Sequence, residues 1–111
     1  MITGPGSPSV LTNMPASIEQ HVEWISDCIA YMEKHNHKTI ESPESSAASW
    51  VNETNDEANK TLLPKVKHSW YLGANIPGKP RVFMPYAGGL DKYRARCQQM
   101  AEKNYKGFDF S

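Results

Sequence analysis

At 111 residues, the chain is at most one domain, or a piece of one, and it is too short for a complete enzyme with two cofactors. Its 12 cationic and 12 anionic side chains balance and are interspersed, so the charge indicates neither a nucleic-acid partner nor an anionic membrane surface. Cys28 and Cys97 form no C-x-x-C pair, which argues against a disulfide framework and a zinc knuckle and favours a reduced, cytoplasmic compartment. The N-terminus lacks the features of a signal peptide, and no apolar run reaches membrane-spanning length.

The first predicted helix covers residues 17–37 and follows a loop at residues 1–16 that is rich in Gly, Pro and Ser. Ser17 is the predicted cap, with Gln20 completing an S-x-x-Q capping box, and Asn36 can adopt the left-handed conformation that ends a helix. Apolar residues recur at helical spacing, namely Ile18, Val22, Ile25, Ile29 and Met32. Further apolar residues widen this stripe: Trp24, Cys28 and Tyr31. We therefore expect the helix to bury more than one side and to need a partner larger than itself.

A second helix is predicted over residues 42–62, with Ser42 as its cap and Pro43 in its first turn. Its apolar stripe is thin and consists of Ala47, Val51, Ala58 and Leu62, with Trp50 alongside. We therefore expect this helix to lie on the surface, with most of its circumference in water.

The stretch SWYLGANIPGKPRVF interrupts both helical and strand periodicity, and we predict a loop over residues 63–81. The residues that break regular structure there are Gly73, Pro77, Gly78 and Pro80. Residues 82–86 are typical of a short strand at a sheet edge, because Pro85 cannot donate to a ladder. A Gly-Gly turn then opens a third helix over residues 89–104. The segment is therefore predicted to be mostly α-helical, with one or two short strands and a long mobile loop.

The sequence indicates no catalytic residue and no metal site. His35 and His37 are two residues apart at a helix end, where their side chains diverge and no further ligand completes a shell. His21 lies near Glu23 and Asp27, but a helix needs charges opposite its apolar stripe for solubility alone, so they indicate no acid-base site. Ser7 and Ser9 lack the G-x-S-x-G frame of a nucleophile elbow. The stretch TGPGSPS lacks both a dinucleotide fingerprint and the Gly-Lys-Ser/Thr ending of a phosphate loop.

Three stretches together resemble the C-terminal part of Baeyer-Villiger flavin monooxygenases of the phenylacetone and cyclohexanone monooxygenase type: TGPGSPSVLTNMPASIEQHVEWI, SWYLGANIPGKPRVFMPYAGGLDKYR and YKGF. The resemblance covers essentially the whole chain, in order and with similar spacing. It implies an α/β parent with two dinucleotide-binding domains, which uses FAD and NADPH to insert one oxygen of O2 into a ketone, giving an ester or lactone. The family's nucleotide fingerprints lie upstream of the matched region. We therefore expect the segment to be inactive alone and to hold neither cofactor without the remainder of the monooxygenase.

The resemblance also implies roles for individual residues. Trp70 takes the place of a tryptophan that reaches toward NADP from a mobile loop, and a large ring with one N–H donor suits that contact. Gly73 and Gly78 take the place of the joints of this lid. Met14 lies where the family's backbone meets the isoalloxazine of FAD. The substrate pocket of the parent is expected to be lined by Ser9, Val10, Leu11, Met84 and Pro85.

Plainer interpretations remain open at this point. Leu11 and Met84 could pack in a core, and Trp70 could be a buried anchor for a surface loop. The whole chain could also be a small helical interaction module without a cofactor, whose apolar residues form a self-sufficient interior. Such an interior would favour the module, whereas an open apolar face on the first helix would favour a segment of a larger enzyme.

Overall fold

The computed structural model describes residues 2–66, 69–74 and 76–111, without the side chain of Val10. Within these residues, the chain forms three α-helices: α1 at Met14–Lys34, α2 at Glu44–Asn59 and α3 at Leu90–Glu102. Two short strands, β1 at Ile40–Glu41 and β2 at Asp109–Phe110, pair antiparallel, with Ile40 opposite Phe110. Short 3-10 turns lie at Ser9–Leu11, Leu63–Lys65 and Trp70–Leu72. The prediction of a mostly helical segment with one or two short strands is confirmed.

Helix α1 begins at Met14, so the prediction of Ser17 as its cap was wrong. The cap is Asn13, whose side-chain oxygen accepts a hydrogen bond from the Ala16 N–H at 3.3 Å. Pro15 can follow such a cap because residues in the first turn of a helix have no intrahelical partner for their N–H groups. The earlier cap lengthens the helix at its N-terminus and turns Ser17 into a fully buried residue of its first turns.

The other helix ends agree with the prediction in part. Helix α1 stops at Lys34, and Asn36 has a φ of 58°, which confirms the predicted left-handed residue at this end. Helix α2 starts after Pro43 without a side-chain cap, so Ser42 is not the cap that the sequence predicted. Gly89 precedes α3 with a φ of 88°, a conformation that a glycine adopts without strain.

Helix α2 lies at the surface, as predicted, but its inward residues differ from the predicted stripe. The side chains that are buried are Thr54, Glu57 and Ala58, while Leu62 is 75% exposed. The Glu57 carboxylate binds the Lys60 ammonium at 2.6 Å and also the ammonium of Lys92 on α3. Hydrogen bonds from these two cations lower the pKa of Glu57. An ion pair therefore ties α2 to α3 where the sequence suggested only a thin apolar contact.

Residues 82–86 do not form the predicted strand. Their N–H groups donate to different segments: that of Val82 to the Leu72 carbonyl at 3.3 Å, that of Phe83 to the Asn55 side chain at 3.3 Å, and that of Tyr86 to the Ser7 carbonyl at 2.8 Å. Pro85 has no N–H between these contacts, so no continuous ladder can form. The strands that the structure does contain, β1 and β2, are two residues each and too short for an alternation pattern to reveal.

Within the described residues the buried core is small, and two of its parts join helices to other elements. One part consists of Ala58, Leu72 and Phe83. It joins α2 to the loop that follows this helix. The other is a group of rings between α1 and the C-terminal residues, in which Trp24 and Tyr105 have centroids 5.2 Å apart. Trp24 Nε1–H also donates to the Cys97 carbonyl at 3.0 Å and so joins α1 to α3.

Candidate cofactor and substrate site

Two backbone hydrogen bonds join the N-terminal loop to the segment that contains Met84 and Pro85. Gly6 N–H donates to the Met84 carbonyl at 2.7 Å, and Tyr86 N–H donates to the Ser7 carbonyl at 2.8 Å. Gly6 has a φ of 80°, and a Cβ there would collide with the Trp50 indole, so only glycine fits this approach. The structure thus brings together two stretches that lie far apart in the sequence and that the resemblance assigns to one substrate pocket.

The Ser9–Leu11 turn follows directly from this junction. Ser9 has a φ of 51°, which a non-glycine residue adopts at a cost of roughly 1 to 2 kcal/mol. Thr12 closes the turn, since its N–H and hydroxyl both donate to the Ser9 carbonyl at 3.3 Å. Leu11 is exposed rather than packed in a core of this chain. The side chain of Val10 lies outside the described residues.

Met14 is the first residue of α1, at the positive end of the helix dipole. Asn13 accepts hydrogen bonds from the N–H groups of Ala16 and Ser17, and Pro15 has no N–H group. Within the described residues, the Met14 N–H has no hydrogen-bond partner. The start of α1 therefore offers one backbone donor and a positive potential, which suit the electron-rich edge of a flavin ring.

Trp70 projects from the short turn Trp70–Leu72, which Ser69 caps by accepting a hydrogen bond from the Tyr71 N–H at 3.3 Å. Trp70 is 63% exposed, and its ring centroid lies 4.2 Å from that of Tyr71. Tyr71 in turn lies beside Phe83, with centroids 6.1 Å apart. Trp70 is therefore not a buried anchor in this chain, because its neighbours provide the anchoring and leave most of Trp70 accessible.

Five residues fix the base of the Trp70 loop and are here called the loop neck: Tyr71, Leu72, Val82, Phe83 and Met84. Backbone bonds from Met84 N–H to the Tyr71 carbonyl at 2.9 Å and from Val82 N–H to the Leu72 carbonyl at 3.3 Å close it. Leu72 and Phe83 are both buried against Ala58 of α2. A cavity of about 180 Å³ lies beside the neck and is lined by Leu72, Gly73, Lys79, Pro80, Val82 and Met84.

Asn55 on α2 holds the loop neck through its side chain, a role that sequence reasoning missed. Its amide oxygen accepts a hydrogen bond from the Phe83 N–H at 3.3 Å, and its amide nitrogen donates to the Val51 carbonyl at 2.9 Å. An asparagine in the middle of a polar helix carries no sequence signal for such a contact, because its partner is 28 residues away along the chain.

The two glycines assigned as lid joints lie in different surroundings. Gly73 has a φ of 67° and is buried at the neck, where it ends the Trp70–Leu72 turn. Gly78 has a φ of 78° and is exposed, with no atom within 4 Å of the position that a Cβ would take. Gly78 therefore lies in the exposed part of the loop, beyond the neck.

A larger cleft of about 800 Å³ lies among the N-terminal loop, α1, α2 and α3. Of the described residues with an assigned role in substrate or cofactor binding, none lines it. His21 lines this cleft, and its Nδ1 accepts a hydrogen bond from the Thr3 N–H at 3.2 Å. Burial lowers the pKa of His21 and raises the pKa of the Cys28 and Cys97 thiols. At neutral pH these three groups are therefore uncharged, and neither thiol is an activated nucleophile.

The described residues contain no cluster of three or more side chains suited to hold a metal ion. Nor does any helix among them combine the length and hydrophobicity needed to cross a bilayer.

Comparison with known proteins relates the chain to monooxygenases, although no family model matches it. The chain is 42% identical over 109 residues to the cyclohexanone 1,2-monooxygenase of Acinetobacter sp, a match that covers 98% of this chain and 20% of the relative. A Baeyer-Villiger monooxygenase of Pseudooceanicola batsensis is 41% identical over 105 residues, covering 95% of this chain and 19% of the relative. An oxidized steroid monooxygenase bound to NADP superposes with a TM-score of 0.87 and 44% identity, over 98% of this chain and 19% of that structure. The OTEMO complex with FAD and NADP superposes with a TM-score of 0.86 and 25% identity, over 99% of this chain and 20% of that structure.

The chain thus spans about one fifth of the length of these relatives, while almost all of its own length is matched. Sequence identity and three-dimensional similarity extend over the same residues, so the relationship does not rest on a local motif. The resemblance stated from the sequence is confirmed. The chain corresponds, over nearly its whole length, to a segment of the Baeyer-Villiger monooxygenases.

Proposed function

We propose that the chain is the C-terminal segment of a flavin monooxygenase that uses FAD and NADPH to insert one oxygen of O2 into a ketone, giving an ester or lactone. The observation that carries this proposal is the exposed Trp70 on an anchored loop, next to a neck that is bonded through Met84 to the N-terminal loop. The names of the relatives support a ketone as the substrate, since one acts on cyclohexanone. Free Cys28 and Cys97 suit a reduced cytoplasmic compartment.

The described residues fit the two cofactors of such an enzyme. When bound and reduced by NADPH, FAD would supply the electrons that activate O2. The Met14 N–H at the start of α1 has no partner among the described residues and is suited to donate a hydrogen bond to an acceptor atom at the flavin edge. Trp70 packs on Tyr71 and leaves most of its surface for a nicotinamide ring and its N–H for a ribose hydroxyl.

The remaining assigned residues form the wall and the hinge of the pocket. Leu11, Met84 and Pro85 contribute apolar surface, which keeps water away from the oxygen-transfer step. Ser9 bends the backbone so that the turn Ser9–Leu11 follows the junction with Met84. Gly73, next to the neck, and Gly78, in the exposed part of the loop, are the two joints about which the Trp70 loop closes.

The alternative of a free-standing interaction module without a cofactor is less well supported. Such a module needs a self-sufficient interior, yet the main apolar stripe of α1 is exposed. The relatives at about 40% identity are monooxygenases in which the match is a minor part of a longer chain.

A segment exchange tests the proposal. The Acinetobacter cyclohexanone 1,2-monooxygenase is prepared with this chain in place of its matching segment, here called the chimera, and a second version lacks the segment. We expect the chimera to retain FAD absorbance and to oxidise NADPH faster when cyclohexanone is added, whereas the deletion version does neither. A flavin-free chimera, or one whose NADPH oxidation ignores the ketone, would contradict the proposed function.

A further inference from the structure

Trp50 of α2 lies against the junction between the N-terminal loop and the segment that contains Met84. Its indole occupies the space beside Gly6, where a Cβ would collide with it. The same indole stacks on the ring of Tyr86, with centroids 5.4 Å apart and planes 9° from parallel. Gly6 and Tyr86 are the donors of the two backbone hydrogen bonds that form the junction. One side chain therefore contacts both of the residues that donate these bonds.

The ring of Tyr86 has little room to take another position. Tyr86 is fully buried, and a Cβ at Gly88 would collide with its ring. Tyr93 of α3 lies beside both other rings, with its centroid 5.6 Å from that of Tyr86 and 6.0 Å from that of Trp50. Close-packed side chains transmit a change of shape to their neighbours, because the interior contains few voids that could absorb it. The position of the Trp50 indole is therefore coupled to the backbone of the junction.

We propose that Trp50 is a positioning residue that determines which ketones the enzyme accepts. It holds the junction, and the junction sets the distance between Met84 and the turn Ser9–Leu11. A displacement of about 1 Å in a pocket can change turnover by roughly two powers of ten, so a residue behind the wall can control selectivity without touching the ketone. The inference rests on the proposed function, because it takes Met84 and the turn as two sides of a ketone pocket.

Trp50→Leu and Trp24→Leu in the chimera isolate this role. Trp24 of α1 is a matched control, since it is also a half-buried helical residue, and its ring packs on Tyr105 at a centroid distance of 5.2 Å. The measurement is the ratio of kcat/KM for 4-phenylcyclohexanone to kcat/KM for cyclohexanone. We expect Trp50→Leu to change this ratio by about tenfold more than Trp24→Leu does. A ratio that moves no further in Trp50→Leu than in the control would overturn the inference.

Amide hydrogen exchange on the same chimeras gives a readout that does not depend on ketone chemistry. The N–H groups of Gly6 and Tyr86 should exchange at least about tenfold faster in Trp50→Leu than in Trp24→Leu, because the junction opens locally once its support is lost. Equal exchange rates in the two variants would overturn the inference. A chimera that binds FAD but leaves ketones unchanged contradicts the proposed function alone, and the exchange comparison still decides whether Trp50 holds the junction.

A double variant tests whether Trp50 acts through Gly6. The methyl group of Gly6→Ala would meet Nε1 and Cδ1 of the indole, and leucine has no atom that reaches as far as Nε1. Trp50→Leu should therefore reduce the effect of Gly6→Ala on the ketone ratio, whereas strictly additive effects would overturn the inference. If Trp50→Leu does not fold, Trp50→Phe and Trp24→Phe give the same comparison, because phenylalanine keeps a ring but shortens the stack on Tyr86.

Discussion

Replacement of Trp70 by alanine in the chimera separates a lid that closes on a cofactor from a loop that is merely anchored. Trp70 is 63% exposed, so roughly a third of its surface is covered in the chain. A tryptophan presents up to about 250 Å², of which this third is about 90 Å², and its removal from contact costs at most about 2 kcal/mol of folding free energy. A buried anchor would instead cost about 3 to 5 kcal/mol.

Activity should fall by more than the loss of folding stability alone would explain. If the Trp70 ring and its N–H contact the nicotinamide cofactor only when the loop closes, their removal costs on the order of 1 to 3 kcal/mol in the closed state. Ketone oxygenation per bound FAD should then fall by roughly one to two powers of ten. The fraction of NADPH that ends as hydrogen peroxide should rise, because a poorly closed site admits water.

The assay measures turnover, hydrogen peroxide and melting temperature on a single preparation of Trp70→Ala, with Leu62→Ala as the exposed control. Leu62 is 75% exposed, and its replacement should leave all three quantities nearly unchanged. Trp70→Phe keeps a ring without the N–H and should give an intermediate loss. Unchanged turnover and unchanged peroxide per bound FAD in Trp70→Ala would refute the lid role, as would a stability loss in the range of a buried anchor.

Three further predictions concern the chain itself. Gly6→Ala should lower the melting temperature more than Gly78→Ala, since both positions have φ near 80° but only the first meets the Trp50 indole, and equal shifts in a thermal melt would contradict the packing argument. Asn55→Ala should leave the Phe83 N–H without its partner, destabilise the loop neck by about 1 kcal/mol and speed amide hydrogen exchange at Phe83, so unchanged exchange there would remove Asn55 from its positioning role. His21 has a pKa lowered from 6.5 by burial, so the unfolded chain binds more protons as the pH falls through 6.5 and stability declines in that direction. His21→Asn should flatten this dependence in urea unfolding between about pH 5 and pH 7, whereas an unchanged slope would show that another group is responsible.

Local chemistry made some features of the fold predictable. Asn36 combines a polar side chain with tolerance of positive φ, and it takes the left-handed conformation where α1 ends. The cap of α1 was misassigned because Asn13 and Ser17 are both good capping residues, and sequence alone does not rank them. The presence of Pro15 decides between them, since proline is favoured in the first turn of a helix.

Long-range contacts account for what the sequence could not predict. The strand predicted at residues 82–86 does not form because the N–H groups of this segment donate to the Trp70 loop, to Asn55 on α2 and to the N-terminal loop. No local sequence pattern indicates these distant partners. The periodicity of the sequence identified the apolar stripe of α1. It could not show which side of α1 packs against other residues of this chain. The packing of Trp24 against the C-terminal rings decides that question, and the side of α1 that carries Ile18, Val22 and Ile29 is exposed.

Labelled oxygen in the chimera tests the proposed oxygen-insertion activity. The overall reaction converts a ketone, O2, NADPH and a proton into an ester or lactone, NADP+ and water. With cyclohexanone under 18O2, we expect a lactone that carries one 18O atom, formed in proportion to the NADPH consumed, and no product from the version that lacks the segment. Oxidation of NADPH with hydrogen peroxide but no labelled lactone, or equal lactone formation without the segment, would contradict it.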